Sequence, residues 1–166
     1  MTQNEDIGTS LQLPKPAAEL QRLNAFVGKW KTEGQQHAGP VGPAARVTAV
    51  QTFEWLPGNF FLIHRFDGRV GDDVAACIEI TGYDAGNRTY RLHTYYNTGL
   101  QNDWQLDPRG DGWMLTGTWQ MAGQATKVRC AIAFGDDGKS MTAKWESSVD
   151  GATWQLFWDL KAARLS

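Results

Sequence analysis

The chain has 166 residues, enough for one domain with a sizeable core, and its net charge of −2 and pI near 5.9 offer nothing to attract nucleic acid or an anionic membrane. No apolar run reaches the length of a membrane span. The first residues lack the basic and apolar regions of a secretion signal, so the cytoplasm is the expected location. Cys77 and Cys130 have no metal-type spacing and read as free buried thiols. The unusual residues are 18 glycines and 8 tryptophans, which point to many turns around an aromatic interior.

Residues 1–14 are polar and aperiodic, a flexible tail, and residues 15–166 are expected to form a single domain. Pro16 suits the first turn of a helix. Leu20, Leu23 and Val27 then recur at helical spacing, so residues 16–26 read as a short amphipathic helix that stops at Gly28. From Trp30 onward the period becomes two. Turn signals recur from Gly39-Pro40-Val41-Gly42-Pro43 through Pro57-Gly58, Gly71-Asp72-Asp73, Ala85-Gly86, Thr98-Gly99, Pro108-Arg109-Gly110-Asp111, Gly123-Gln124 and Asp137-Gly138 to Asp150-Gly151. Nine turns separate ten strands, and the absence of a second helical pattern predicts an all-β, up-and-down antiparallel barrel with one N-terminal helix.

Residues paired across a hairpin share a face, and faces alternate along a strand. Starting from Trp55 paired with Phe60 and Gln51 with His64, the inner face takes Ala76, Ile78 and Ile80, if the loop at Gly71-Asp72-Asp73 has an even number of residues. It continues with Arg91, His93 and Tyr95, then Asn102 and Trp104, Trp113 and Trp119, Cys130, Trp145, and finally Trp154, Leu156 and Trp158. With Trp30 included, all eight tryptophans point inward. Arg65 and Glu79 fall outside in this register as a surface ion pair. An odd loop at residues 71–73 would exchange every face beyond it.

Gly28-Lys29-Trp30 after a short helix resembles the opening motif of calycin barrels: lipocalins, fatty-acid-binding proteins and nitrobindins. Leu23-Asn24-Ala25-Phe26-Val27-Gly28-Lys29-Trp30, Glu54-Trp55-Leu56-Pro57-Gly58-Asn59-Phe60-Phe61-Leu62-Ile63-His64-Arg65 and Gly82-Tyr83-Asp84 together resemble a bacterial family of lipocalin-like domains without an assigned function. The resemblance implies that Gly28, Trp30 and a late basic residue, Arg164, close one end of the barrel. It does not extend to ligand chemistry. Nitrobindins ligate haem through a histidine late in the chain, whereas the last histidine here is His93. The final strand reads Phe157-Trp158-Asp159-Leu160 and lacks the Arg-x-Tyr clamp of fatty-acid-binding proteins. Fold-level likeness carries architecture better than activity.

The far end of the barrel is then expected to hold a ligand site of Gln51, His64, His93, Tyr95, Asn102, Trp104, Trp119, Trp145 and Trp154, since an aromatic cavity with a few polar groups suits a small molecule. His64, His93 and Tyr95 are also the candidates for acid–base catalysis of an isomerase or cyclase type that needs no cofactor. The plainer reading makes the histidines satisfied members of the barrel wall. Two histidines without a suitable inward carboxylate do not complete a metal shell, and no cofactor is expected. The expected partner is a small hydrophobic or aromatic molecule; neither nucleic acid nor membrane is expected, and a homodimer is left open. Ser148-Val149-Asp150-Gly151-Ala152-Thr153-Trp154 resembles a sialidase Asp-box with one residue missing, and an Asp-Gly turn accounts for it.

Overall fold

The computed structural model describes residues 14–121 and 123–165, so all but the last residue of the tail expected over residues 1–14 lies outside the described residues. A 3₁₀ helix (Ala18–Ala25) precedes β1 (Gly28–Gln36), β2 (Ala45–Trp55), β3 (Phe61–Val70), β4 (Asp73–Asp84) and β5 (Thr89–Tyr96). The chain continues through β6 (Gln101–Arg109), β7 (Gly112–Met121), β8 (Gln124–Phe134), β9 (Ser140–Ser148) and β10 (Gln155–Arg164). Each strand pairs antiparallel with its sequence neighbours, and β10 returns to β1, closing the ten-stranded up-and-down barrel. Closure gives every strand a neighbour on both sides.

The helix is tighter than its expected α form. In a 3₁₀ helix residues three apart eclipse one another, so Leu20, Leu23 and Phe26 form one apolar row, and all three are buried. The helix plugs the end of the barrel at which β1 starts and β10 finishes. Tyr90 Oη donates to Glu19 O at 2.6 Å, Trp55 Nε1 donates to Asn24 Oδ1 at 2.8 Å, and the Arg22 guanidinium lies over the Trp113 ring. Gly28 makes the change from helix to strand at φ 128°, a backbone region closed to ordinary L side chains.

Trp30 is fully buried behind that plug. Its Nε1 donates to Phe26 O at 2.8 Å, and the Arg164 guanidinium stacks on its ring at 4.1 Å from the centroid. Arg164 also donates to the carbonyls of Gly138, Val27 and Ala25. It ties the last strand, the β8–β9 turn and the helix end to one point.

Two turns and a bulge correct the expected faces. Gly71 and Asp72 form a two-residue turn that pairs Val70 with Asp73. The loop is even, as assumed, but an even loop joins positions of opposite parity. Ala75, Cys77, Glu79 and Thr81 therefore face inward, and Ala76, Ile78 and Ile80 do not. The exchange carries into β5, where Tyr90, Leu92, Thr94 and Tyr96 face in while Arg91, His93 and Tyr95 face out. The three-residue turn Asn97–Gly99 then restores the expected faces of β6, with Trp104 inside. In β10 the register shifts between Leu156 and Trp158, so Phe157 and Trp158 both point inward and the residues before them change sides. Trp154 thus lies outside, beneath the Arg129 guanidinium at 4.1 Å, and seven tryptophans rather than eight line the interior. Between β2 and β3 the register differs from the expected one by two, pairing Phe53 with His64 and Trp55 with Leu62, which leaves the faces as expected.

Gly117 on β7 admits the Trp104 ring from the neighbouring strand: a Cβ there would sit 2.4 Å from the ring. Gly117→Ala is expected to displace the indole and destabilise the barrel by about 1–3 kcal/mol. A urea denaturation midpoint unchanged from the parent would refute this packing.

Candidate functional site

A single row of polar side chains runs around half of the barrel's inner wall, one from each of six consecutive strands. Trp104 Nε1 (β6) donates to Thr94 Oγ1 (β5) at 3.0 Å, and Thr94 Oγ1 donates to Glu79 Oε1 (β4) at 3.0 Å. Glu79 Oε2 meets His64 Nδ1 (β3) in a very short contact, and His64 Nε2 faces Gln51 Oε1 (β2) at 2.8 Å. Gln51 Nε2 donates to Thr32 Oγ1 (β1) at 2.5 Å. The belt follows from register: His64 pairs with Glu79, and Glu79 with Thr94.

Both ring nitrogens of His64 face oxygen acceptors, an arrangement that accommodates the doubly protonated imidazolium. The ring lies flat on Phe53, with centroids 4.0 Å apart and planes within 1°, which fixes its orientation. Glu79 is largely buried, its side chain 14% exposed. Burial pushes its carboxyl up, but the His64 charge and the hydrogen bonds from His64 and Thr94 outweigh that and hold it below the ordinary carboxylate value. The negative charge is felt nearby. Burial first, and Glu79 second, push the Tyr96 hydroxyl and the Cys77 thiol up. Every buried side-chain nitrogen and oxygen among the described residues has a hydrogen-bond partner. The belt is therefore self-satisfied.

Within this wall is a cavity of about 290 Å³. Leu23 and Phe26 lie at its plugged end, His64 and Glu79 at mid-height, and Val74, Asn97 and Thr98 at the opposite end. Trp119, Trp145 and Trp158 form one aromatic side, with Trp119 and Trp145 stacked at 6.3 Å and 10°.

Of the residues expected to form a site, Gln51, His64 and Trp104 meet in the belt, and Trp119 and Trp145 line the cavity beside Gln51 and His64. Asn102 spends its amide on the Thr118 carbonyl at 3.3 Å. His93 and Tyr95 stand on the outer surface, about half exposed, with His93 Nδ1 against Asp103 Oδ1 at 2.5 Å; their expected place inside is corrected by the parity of the β3–β4 turn. Trp154 is corrected by the β10 bulge. Glu79 is also corrected: it is inward, and Arg65 approaches Glu54 instead, at 3.9 Å. An inward carboxylate thus exists, although the described residues contain no group of three or more His, Cys, Asp and Glu placed to hold a metal. Sequence reasoning missed Glu79, Thr94, Thr32, Tyr96 and Cys77. Correct parity across Gly71-Asp72 would have found four of them, because it sets Glu79 directly opposite His64.

The sequence matches the family described as protein of unknown function (DUF1579) over residues 15–164. The chain belongs to that family. Among functionally curated proteins none matches it. The DUF1579 barrel is similar to the crystal structure of Rv2717c from M. tuberculosis, with a TM-score of 0.63 and 16% identity over 92% of this chain and 100% of that one. It is also similar to the S-type phycobiliprotein lyase CPES from Guillardia theta, with a TM-score of 0.57 and 11% identity over 90% and 94% of the two chains. At these identities the likeness is one of fold, and it accords with the lipocalin-like resemblance of the sequence. No helix among the described residues is long and apolar enough to cross a membrane.

Proposed function

We propose that this DUF1579 protein binds a small, mainly apolar or aromatic, uncharged molecule inside its barrel. The observation that carries the reading is the cavity itself: about 290 Å³ remains open although seven tryptophans point inward. That volume is at the lower edge of small-molecule sites and suits a compact ligand. The belt narrows the chemistry. Glu79 and His64 neutralise each other and spend their polar atoms on neighbours, so a charged ligand would have to break the belt to find a partner. A flat apolar body against Trp119 and Trp145 has no such cost. Two free thiols fit the proposed cytoplasmic setting, and residues 15–166 are proposed as a single domain.

The test is a thermal-shift and tryptophan-fluorescence screen of uncharged aromatic and apolar metabolites. A binder should quench or shift emission from Trp119 and Trp145, and Leu115→Trp, which places an indole in the cavity, should abolish the response in a folded protein. If the filled variant responds as the parent does, the ligand is elsewhere.

His64 and Glu79 also favour a second reading, a cofactor-independent isomerase or cyclase in which the dyad moves a proton. A protein of similar fold is described as a lyase, so the architecture does not forbid catalysis. Against it, His64 Nε2 is turned to Gln51 rather than to the cavity. Full turnover of an identified substrate by His64→Ala would exclude this alternative.

A further inference from the structure

We propose that the upper end of the β6–β7 seam is a side entrance to the barrel, with Tyr96 and Trp119 as its gate and the Asn102–Thr118 hydrogen bond as its latch. The inference rests on the cavity-binding reading above and names the route by which that site fills.

The β6–β7 ladder stops short. It pairs Arg109 with Gly112 and runs up to Trp104 opposite Gly117, but β6 begins at Gln101 and β7 continues to Met121. Gln101–Asp103 and Thr118–Gln120 therefore flank a stretch of wall with no backbone pairing between them. The Asn102 Nδ2 bond to the Thr118 carbonyl, at 3.3 Å, bridges it.

The other side of the same hairpin is held fast. β5 pairs with β6 up to Tyr95 opposite Gln101. Asn97, in the β5–β6 turn, is clamped to β4: its N–H donates to Ala76 O at 2.9 Å, its Nδ2 to Val74 O at 3.2 Å, and its Oδ1 accepts from Ala76 N at 3.3 Å. If this end of the barrel opens, the side that yields is the one with a single hydrogen bond.

Opening there joins two spaces. The interior cavity and a groove on the outside of the β6–β7 seam both reach Tyr96, Thr98 and Trp119. The Tyr96 and Trp119 rings meet edge to face with centroids 6.2 Å apart, and rotation of either side chain would connect groove and cavity. The Tyr96 hydroxyl faces the Trp119 indole, a contact that such a rotation gives up. A flat aromatic ligand could then pass between the two rings instead of entering past Val74 at the axial end.

Native Cys77 lines the cavity and reports access to it without any ligand. Alkylation of Cys77 by iodoacetamide, followed by peptide mass spectrometry, is to be compared in the parent, in Asn102→Ala and in Val74→Trp, which narrows the axial end. Uptake of N-phenyl-1-naphthylamine, an uncharged aromatic dye, by stopped flow supplies a second reading. Loss of the latch should speed Cys77 alkylation about fivefold, the factor that one hydrogen bond is worth, while Val74→Trp changes it less than twofold. Unchanged alkylation in Asn102→Ala, or a slowing confined to Val74→Trp, overturns the side entrance. Accelerated alkylation in a barrel that takes up no dye supports the entrance and counts against the binding function. Dye uptake with alkylation unaffected by Asn102→Ala supports binding and refutes the entrance.

Discussion

His64→Leu is expected to destabilise the barrel by about 3–5 kcal/mol at pH 7, because it strands the Glu79 carboxylate in an apolar wall. For a chain of 166 residues that is a fall in Tm of roughly 10 °C. The double variant His64→Leu/Glu79→Leu should recover most of the loss and lie within about 1 kcal/mol of the parent, since two well-packed apolar side chains replace two desolvated charges. The pH dependence separates the cases. In the parent the Glu79 carboxyl is held below its ordinary value, so its contribution is complete above about pH 4.3 and is lost as pH falls through the lower folded value. In His64→Leu the pairing that lowers it most is gone and only the Thr94 hydrogen bond still opposes burial, so protonation on acidification relieves the stranded charge. The gap between variant and parent should then narrow from pH 7 to pH 5. Thermal melts of the three proteins across that range decide it; a gap that widens on acidification would show that Glu79 and His64 are not an ion pair.

Trp30→Ala is the second large effect, about 3–5 kcal/mol, the usual loss for deleting a fully buried indole. Three contacts go with the ring: the hydrogen bond to Phe26 O, the packing on Phe134 and the π face under Arg164. Arg164→Ala should cost less, because the indole stays in place, although the carbonyls of Ala25, Val27 and Gly138 lose their donor. The two losses should not add. A double-mutant cycle by urea denaturation is expected to give a coupling of about 0.5–2 kcal/mol, the worth of a partly buried cation–π contact between residues that share neighbours. Additivity within error would mean that Arg164 acts only through its carbonyl bonds. Arg164→Lys should not rescue, since an ammonium cannot cover the indole plane and reach three carbonyls together.

The two predictions address different ends of the barrel. At the Trp30 end the plug, the last strand and the helix are locked by one guanidinium. At mid-height the ion-paired belt is arranged around a cavity. The locked end and the open interior are thus held by separate sets of residues. That separation explains why the motif that is easiest to read, Gly28-Lys29-Trp30, concerns architecture rather than ligand.

Local pattern sufficed for the architecture. The change from helical spacing to period two at Trp30, and the nine Gly-, Pro- and Asp-marked turns, determine ten antiparallel strands and their order, because turn chemistry and alternation are properties of neighbouring residues. The same is true of Gly28, where a positive φ must sit between helix and strand. The site was not legible to the same depth. Whether Glu79 or Ile78 faces His64 depends on one residue of loop length at Gly71-Asp72, and whether Trp154 or Phe157 enters the core depends on one extra residue in β10. A shift of one residue leaves local alternation unchanged and moves every side chain to the other face. Only the closed barrel, in which every strand must match both neighbours, selects among these parities. It took His93 and Tyr95 out of the interior, brought Glu79 in against His64, and made a six-strand belt from residues that are 72 positions apart from Thr32 to Trp104.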